Sequence, residues 1–364
     1  MKLNEKERKL LDLLRANPYV NQKDIAVLMD LSRPAVANMI SGLHEKGYIL
    51  GKPYVLRSAS YVTCIGGANM DVTLMLDNPL IKGTSNPVKG LSSYGGVVRN
   101  VAENLARLNK SVSLMSLVGD DAYGMEILSS SNALMETFAT ETISHETTGT
   151  YYAVIDQAGD MVYGFASMGI NHKMDRSWIL RHKKHLVMSE YLICDLNVSK
   201  EAIETLLELK QALNIPLAIV GVSGPKMAHL SEDLTALDVI ICNVDETQTY
   251  FKTDIKDARQ LCQLWLDIGV KKVVVTAGSA GAYYGEGKHI AHQKARAVAQ
   301  TSIVDVTGAG DAFSSALMYG IIEGYSLSEA VQLGTINASL TIQVTHAVNP
   351  NISIKTIKEE LKKS

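Results

Sequence analysis

Asp305-Val306-Thr307-Gly308-Ala309-Gly310-Asp311, continued by Ala312-Phe313, sets two glycines and an acid within four residues. Ahead of it Ala299-Gln300-Thr301-Ser302-Ile303-Val304 reads as extended, and behind it Phe313 to Glu323 reads as helix, with Phe313, Leu317 and Ile321 on one face. The glycines therefore fall where a loop enters a helix, so the chain can turn tightly there and let a ligand lie close to the main chain. The first turn of a helix has N–H groups without intrahelical partners and carries the positive end of the macrodipole, which suits a phosphate. A carboxylate in that turn, Asp311, would stand beside whatever the amides hold. Amides that hold the moving charge, next to an acid that takes a proton from the attacking hydroxyl, are the parts of a phosphoryl transferase. Alone, a Gly-x-Gly-Asp would sooner read as a glycine loop with an ordinary helix-start acid.

The 364 residues suggest a main domain of about 300 residues with a small addition. With 46% hydrophobic and 20% charged residues, the chain has the make-up of a soluble globular protein able to bury a large core. The formal net charge of -3 is unevenly spread. Residues 1–60 hold ten Lys/Arg against six Asp/Glu, a balance of +4 that leaves -7 for the remainder. A basic amino-terminal segment on an acidic body points to separate partners, with a polyanion one option for the first. Cys64, Cys194, Cys242 and Cys262 are far apart and form no metal spacing, as expected of buried thiols in a reduced, cytoplasmic protein. The amino terminus lacks an apolar signal core and no run nears the ~18 apolar residues of a membrane span, so neither export nor membrane insertion is expected.

Within residues 4–16, Leu10, Leu11, Leu13 and Leu14 recur at helical spacing. Asn21-Gln22-Lys23-Asp24 opens a second helix through Ile25, Leu28 and Met29, and Ser32 with Pro34 opens a third that reaches Lys46 with Val36, Ile40 and Leu43 on its apolar face. Two short extended pieces follow over residues 47–56 around Gly51-Lys52-Pro53. Three helices and a hairpin in under 60 residues read as a winged helix-turn-helix, expected over residues 1–57. Its third helix would expose Arg33, Asn38, Ser41 and His44 to a DNA major groove, with Lys52 on the wing against phosphate. A helical docking or oligomerisation module is the other reading of the same pattern.

From Tyr61 the pattern becomes α/β. Tyr61 to Ile65 reads as a buried strand ending at Gly66-Gly67, and Asn69 and Asp71 follow where ligands gather in open sheets. Both could bond vicinal sugar hydroxyls, or merely stabilise a turn. Gly95-Gly96 runs into a helix over 97–108, where Asn100 could bind a hydroxyl. Segments 72–92 and 149–167 are strand-like and polar, as expected of a small β lid that keeps water from the reaction. The remainder alternates, with strands expected at 113–117, 186–195, 216–222, 238–242, 272–276 and 282–284, and helices at 200–213, 256–268, 326–343 and 354–362. The fold class expected is a doubly wound, mostly parallel α/β sheet with a lid. Asn243 and Glu246, at the end of an apolar strand, share one face of a helical turn, where they could meet a hydrated Mg²⁺ or cap the helix. No Gly-x4-Gly-Lys-Ser/Thr loop occurs, which excludes the P-loop kinases.

The run Asp305–Asp311 resembles the second signature, D-T-x-G-A-G-D, of the ribokinase-like (PfkB-type) sugar and nucleoside kinases, with Val306 in place of the threonine. Gly95, Gly96 and Asn100 match the same family's first signature, and the resemblance covers about residues 61–350 within a kinase domain expected over 58–364. It implies ATP and Mg²⁺, a homodimer, Asp311 as base, and Gly308, Ala309 and Gly310 as the anion hole. It also implies Asn69, Asp71, Gly95, Gly96 and Asn100 around the ribose, and Glu246 with Asn243 at Mg²⁺ and phosphate. Thr276, Gly278, Gly281 and, at the adenine, Asn337 are implied on the nucleotide side. Thr345-His346-Ala347-Val348 has no glycine where ribokinases have a monovalent-cation loop, which leaves that cation open. Gly67-Ala68-Asn69-Met70-Asp71, Gly95 to Asn100, Cys194-Asp195-Leu196-Asn197 and Val348 to Ser353 look like the pseudouridine kinase branch, with Asn197 at the sugar or base. The expectation is a 5′-phosphorylation of pseudouridine. The alternatives are a kinase for another ribonucleoside or ribose-like sugar, and a transcription regulator that uses the site to sense.

Overall fold

A computed structural model describes residues 3–17, 20–49 and 60–363. The amino-terminal unit is built from α1 (Glu5–Ala16), α2 (Gln22–Met29) and α3 (Arg33–Glu45). Each helix starts at a side-chain cap. Asn4 and Glu7 exchange bonds in a capping box, Asn21 accepts from the Lys23 and Asp24 amides, and the Ser32 hydroxyl accepts from Ala35 N–H. Leu10, Leu14, Ile25, Val36, Ile40 and Leu43 form its core. Leu28, expected on the inner face of α2, is 56% exposed, because the buried stripe of this short helix runs through Ile25, Ala26 and Met29. Lys52, most of the expected wing and the expected boundary at residue 57 lie outside the described residues.

The larger unit runs in chain order β1 (Tyr61–Ile65), β2 (Asn69–Leu76), β3 (Val88–Gly95), α4 (Val97–Arg107), β4 (Val112–Met115), β5 (Leu117–Gly119), α5 (Ala122–Asn132), β6 (Glu141–Ile143), β7 (Thr150–Ile155) and β8 (Met161–Ser167). It continues with α6 (Arg176–Arg181), α7 (Lys183–Leu186), β9 (Ser189–Asp195), α8 (Lys200–Leu213), β10 (Leu217–Val220), β11 (Val239–Asn243), α9 (Val244–Phe251), α10 (Ala258–Asp267) and β12 (Lys272–Thr276). The last elements are β13 (Ala282–Glu286), β14 (His289–Gln293), α11 (Ala309–Ile322), α12 (Leu327–Thr341) and α13 (Ile354–Leu361).

Eight strands form the main sheet in the order β14-β13-β12-β11-β10-β9-β1-β4. From β12 to β4 the pairs are parallel, and β13 and β14 add an antiparallel edge. Parallel strands buried on both faces need apolar residues at every position, which explains runs such as Val239-Ile240-Ile241-Cys242. Residues of α4, α11, α12 and α13 fill one face, while α6, α8 and α10 fill the other. Four further strands, in the order β3-β2-β7-β8, make the separate lid sheet, and its β7–β8 hairpin closes through Asp156, whose carboxylate accepts from Ala158 and Asp160 N–H.

Some expected boundaries move. Residues 299–304 are not a strand: Gln300–Ser302 form one 3-10 turn, and the Val304 and Asp305 amides donate to Ile342 O at the end of α12. The strand expected from 186 begins at Ser189, since Lys183–Leu186 close a helical turn. Strand β14, rich in histidine and polar residues, has no apolar run to announce it. Among the described residues no helix is long and apolar enough to cross a membrane. Leu317 of α11 is fully buried against the sheet. Leu317→Ala is expected to lower unfolding free energy by about 2–4 kcal/mol in a urea titration, with the fold otherwise retained by circular dichroism.

Candidate active site

The site lies at the carboxyl ends of the central parallel strands, where β1 and β9 stop and the lid begins. Strand β1 ends at Ile65, Gly66-Gly67 follow, and β2, the first lid strand, starts two residues beyond them at Asn69. Asn69 Nδ2 donates to Asp71 Oδ1 at 2.7 Å, and a Cβ at Gly95 would lie 2.3 Å from Asp71 Oδ2, so these three residues already touch. Gly96, the cap residue of α4, has φ +100 and no room for a Cβ, which would stand 2.3 Å from Gly67 O. The lid root and the start of α4 thus share one narrow crossing.

A glycine cannot cap a helix with a side chain, and α4 has none. Its Val98 amide is satisfied instead by Asp195 Oδ2 at 3.1 Å, from the last residue of β9. The same carboxylate accepts from Gly67 N–H at 3.1 Å and from Asn197 N–H at 2.9 Å and Nδ2 at 3.0 Å. Fully buried Asp195 therefore clamps β1, β9 and α4 together. Burial raises its pKa, opposed by these donors. Sequence reading gave Asp195 no role, although an acid closing the apolar run Tyr191-Leu192-Ile193-Cys194 was a visible signal.

One turn into α4, Asn100 Nδ2 donates to Asp311 Oδ2 at 2.9 Å. Asp311 belongs to the first turn of α11, whose cap residue Gly308 is left-handed at φ +76 with its missing Cβ 2.0 Å from Ala347 O. The helix ladder starts when Ala312 N–H reaches Gly308 O, which leaves the amides of Gly310 and Asp311 outside it. Gly310 is exposed, and Gly308 and Ala309 are half-buried. Burial pushes the Asp311 carboxyl up to about 7, with the Asn100 bond opposing and the charges of Asp195, Asp71 and Glu246 adding to the rise. Asp71 is likewise pushed up to about 6 by burial, against the Asn69 bond and the Arg99 charge.

On the other flank, Asn243 and Glu246 form a capping box at the start of α9: Asn243 N–H donates to Glu246 Oε2, and Glu246 N–H to Asn243 Oδ1, both at 2.8 Å. The capping reading is thus realised. It still leaves Glu246 Oε1 and the exposed Asn243 amide nitrogen uncommitted. Burial raises the Glu246 pKa, and Gly221 lies so near that a Cβ there would be 2.2 Å from Oε2. Thr276 pairs with Asn243 in the β11–β12 register, and Gly278 and Gly281 shape the turn into β13. Among the described residues no three His, Cys, Asp or Glu converge as a metal cage. A lone carboxylate with an amide fits a cation that keeps its waters and phosphate ligands, as Mg²⁺ does.

Two placements differ from expectation or extend it. Asn337 is fully buried, its Nδ2 donating to Ala312 O at 2.8 Å and Asn104 Oδ1 at 3.2 Å, so its side chain ties α12 to α11 and α4 and is not available to an adenine. Asn197 borders a cavity of about 240 Å³ shared with Asn171, His172, Lys226 and His229. In the amino-terminal unit, Arg33, Asn38, Ser41 and His44 are all exposed along α3.

A model of the pfkB family of carbohydrate kinases matches residues 59–354, and one of winged helix-turn-helix DNA-binding domains matches residues 3–49. The uncharacterized sugar kinase YeiI of Escherichia coli (strain K12) is 28% identical over 355 residues, which cover 96% of this chain and 97% of that protein. The pseudouridine kinase of the same organism is 27% identical over 307 residues, 83% of this chain and 96% of that one. Arabidopsis thaliana ribokinase, solved with ribose and ATP, has the same fold, with a TM-score of 0.71 at 21% identity over 84% of this chain and 100% of that one.

The raised pKa of Asp311 has a sign that can be measured. A carboxyl at about 7 when folded and near 3.8 when unfolded contributes stability below pH 4 that is lost as pH rises through 7. Asp311→Asn should therefore melt higher than the parent protein, by a margin that widens from pH 4 to 7 and reaches at most roughly 4 kcal/mol. The same variant should lose at least about a thousandfold in turnover. Differential scanning calorimetry across pH and an ADP-release assay check the two halves.

Proposed function

The chain belongs to the pfkB family of carbohydrate kinases, and from that premise we propose that it moves the γ-phosphoryl group of ATP to the 5′-hydroxyl of a nucleoside, with pseudouridine the preferred acceptor. The observation that carries this reading is the position of Asp311. It feels the charge of Asp71 on the lid side and of Glu246 on the strand-end side, and it stands in the first turn of a helix with uncommitted amides. An acid so placed reaches both an acceptor alcohol and a phosphate.

In this reading Asn69, Asp71, Gly95, Gly96 and Asn100 hold the ribose. The 5′-oxygen attacks the γ-phosphorus, its proton passes to Asp311, and the bond from that phosphorus to the β,γ-bridging oxygen breaks to release ADP. Gly308 to Gly310 cradle the transferring group through main-chain amides. Asn243 and Glu246 would hold Mg²⁺, which supplies positive charge to the phosphates. Thr276, Gly278 and Gly281 border the nucleotide, and the four-stranded lid excludes water from the transfer.

Two observations favour a nucleoside over ribose. Asn197 opens on the 240 Å³ cavity, lined by residues that carry polar groups such as Asn171, Lys226 and His229, a space that a bare pentose in contact with Asn69 and Asp71 would leave empty. Gly67, two residues before Asn69, abuts the Asn197 amide, so sugar site and cavity adjoin. The likeness to pseudouridine kinase points the same way. An ADP-release assay over pseudouridine, uridine, inosine, adenosine and ribose is expected to give pseudouridine the highest kcat/KM, at least about tenfold above ribose. Preference for ribose would overturn the nucleoside assignment, and binding without ADP release would replace the kinase reading by that of a sensor.

A second activity is favoured by the amino-terminal match and by the exposed row on α3. Residues 1–57 bind duplex DNA with α3 in the major groove, Arg33 meeting base edges or phosphate. In filter binding with the full chain, Arg33→Ala should weaken duplex binding about tenfold or more at low salt. Unchanged or absent binding by both proteins would leave the unit as a docking module.

A further inference from the structure

Arg99 is 3% exposed in the first turn of α4, a costly place for a guanidinium. Its compensation is thin. Glu103, one helical turn along, pairs with Arg99 and also with Arg107 Nη2 at 2.7 Å, so one carboxylate serves two arginines. The Tyr94 ring lies 5.1 Å from the guanidinium carbon, and Arg99 Nε is buried without a partner. An apolar side chain would fill this place at lower cost, so the charge is better explained by what its remaining arm does.

That arm, Nη1, donates to Asn100 Oδ1 at 3.1 Å. A guanidinium has donors only, so the contact decides which end of the Asn100 amide is which. The oxygen is held toward Arg99, and Nδ2 is thereby turned onto Asp311 Oδ2 at 2.9 Å. Asn104 Nδ2 donates to Asn100 O at 2.9 Å, and Asn337 joins Asn104 to Ala312 O, the residue after Asp311. The helix that carries Asn100 is therefore tied to the helix that carries Asp311, and the remaining freedom is the rotation of the amide.

We propose that Arg99 is a positioning residue for the proton acceptor: by holding Asn100 Oδ1 it keeps the Nδ2 donor on Asp311 Oδ2 and leaves Asp311 Oδ1 for the acceptor alcohol. The proposal rests on the reading of Asp311 as base. Without Arg99 the amide can turn, and its oxygen would then face a carboxylate already pressed by Asp195 from β9, Asp71 from β2 and Glu246 from α9. The remaining donor to its ionised form would be gone, and a larger share of Asp311 would be protonated at neutral pH.

The test measures kcat from pH 5.5 to 9 with saturating ATP and the best acceptor of the panel, for the full-length protein and its Arg99→Met, Arg99→Lys, Asn100→Ala and Arg99→Met/Asn100→Ala variants. Saturation matters because Asp71 also feels the Arg99 charge, so KM will move as well. Arg99→Met should lower kcat at pH 7 by about fivefold and shift the acid limb up by about one pH unit, so that activity recovers toward pH 9. Arg99→Lys keeps the buried charge beside Glu103 and should fold even if Arg99→Met does not; it should shift the limb the same way by less. On the Asn100→Ala background, Arg99→Met should change kcat by less than about twofold. A uniform fall at every pH without a shift, in whichever Arg99 variant folds, overturns the proposal, and so does the full fall in kcat at pH 7 on the Asn100→Ala background. No turnover by the parent protein with any acceptor overturns the kinase reading itself, and this proposal with it.

Discussion

A half-buried carboxylate at the mouth of a helix is the constraint on which the larger unit turns. The positive end of α11 favours ionised Asp311, while burial and three neighbouring acids disfavour it, and the balance falls near neutrality. A surface acid would be fully ionised at pH 7 and a weaker proton acceptor; a deeper one would be neutral and no acceptor at all. Asn100 supplies the one side-chain donor recorded for this carboxylate, so a small change in that contact changes the protonation of the acid. Catalytic placement here is set against stability, since the ionised state that would accept a proton is the state the fold holds least comfortably.

Much of the surrounding architecture serves to keep four acids within reach of one another without letting them collapse or drift. Asp195 binds the ends of β1 and β9 to the amide of α4 that glycine cannot cap. Gly96 and Gly308 then allow backbones to pass where any side chain would collide with Gly67 O or Ala347 O. Because the chain leaves the main sheet at the end of β1 and enters the lid sheet at Asn69, Asn69 and Asp71 stand at the root of the lid. Groups that would hold the acceptor are therefore attached to the element that would cover it, an arrangement that would couple ligand binding to closure over the site. The proposed nucleotide side is built on other elements, the capping box of α9 and the β12–β13 turn.

The parts of this arrangement that were legible in the sequence are those written within a few residues. The glycine turn with Asp311, the Gly95-Gly96 entry to α4, the Asn243–Glu246 spacing and the apolar runs of the parallel strands are all local. Bonds between distant segments were not legible. Asp195 meets Val98 across 97 residues, and only the folded sheet shows that its carboxylate replaces a missing helix cap. Arg99 and Glu103 were given no role by the sequence, yet both charges are buried in the folded chain. Asn337 illustrates the converse: a polar residue in a helix near the nucleotide side looked available, while its bonds to Asn104 and Ala312 show it to be internal packing. Residues 299–304 had strand-like composition but no neighbouring strand to pair with, and so bonded to the end of α12.

The central claim is that Asp311 holds its proton until about neutral pH. It is tested most directly by infrared difference spectroscopy of the protein titrated from pH 4 to 9, following the protonated-carboxyl band that disappears in the Asp311→Asn variant. The band is expected to disappear with a midpoint near 7 in the ligand-free protein. A midpoint near 4, where an ordinary solvated aspartate titrates, would contradict it.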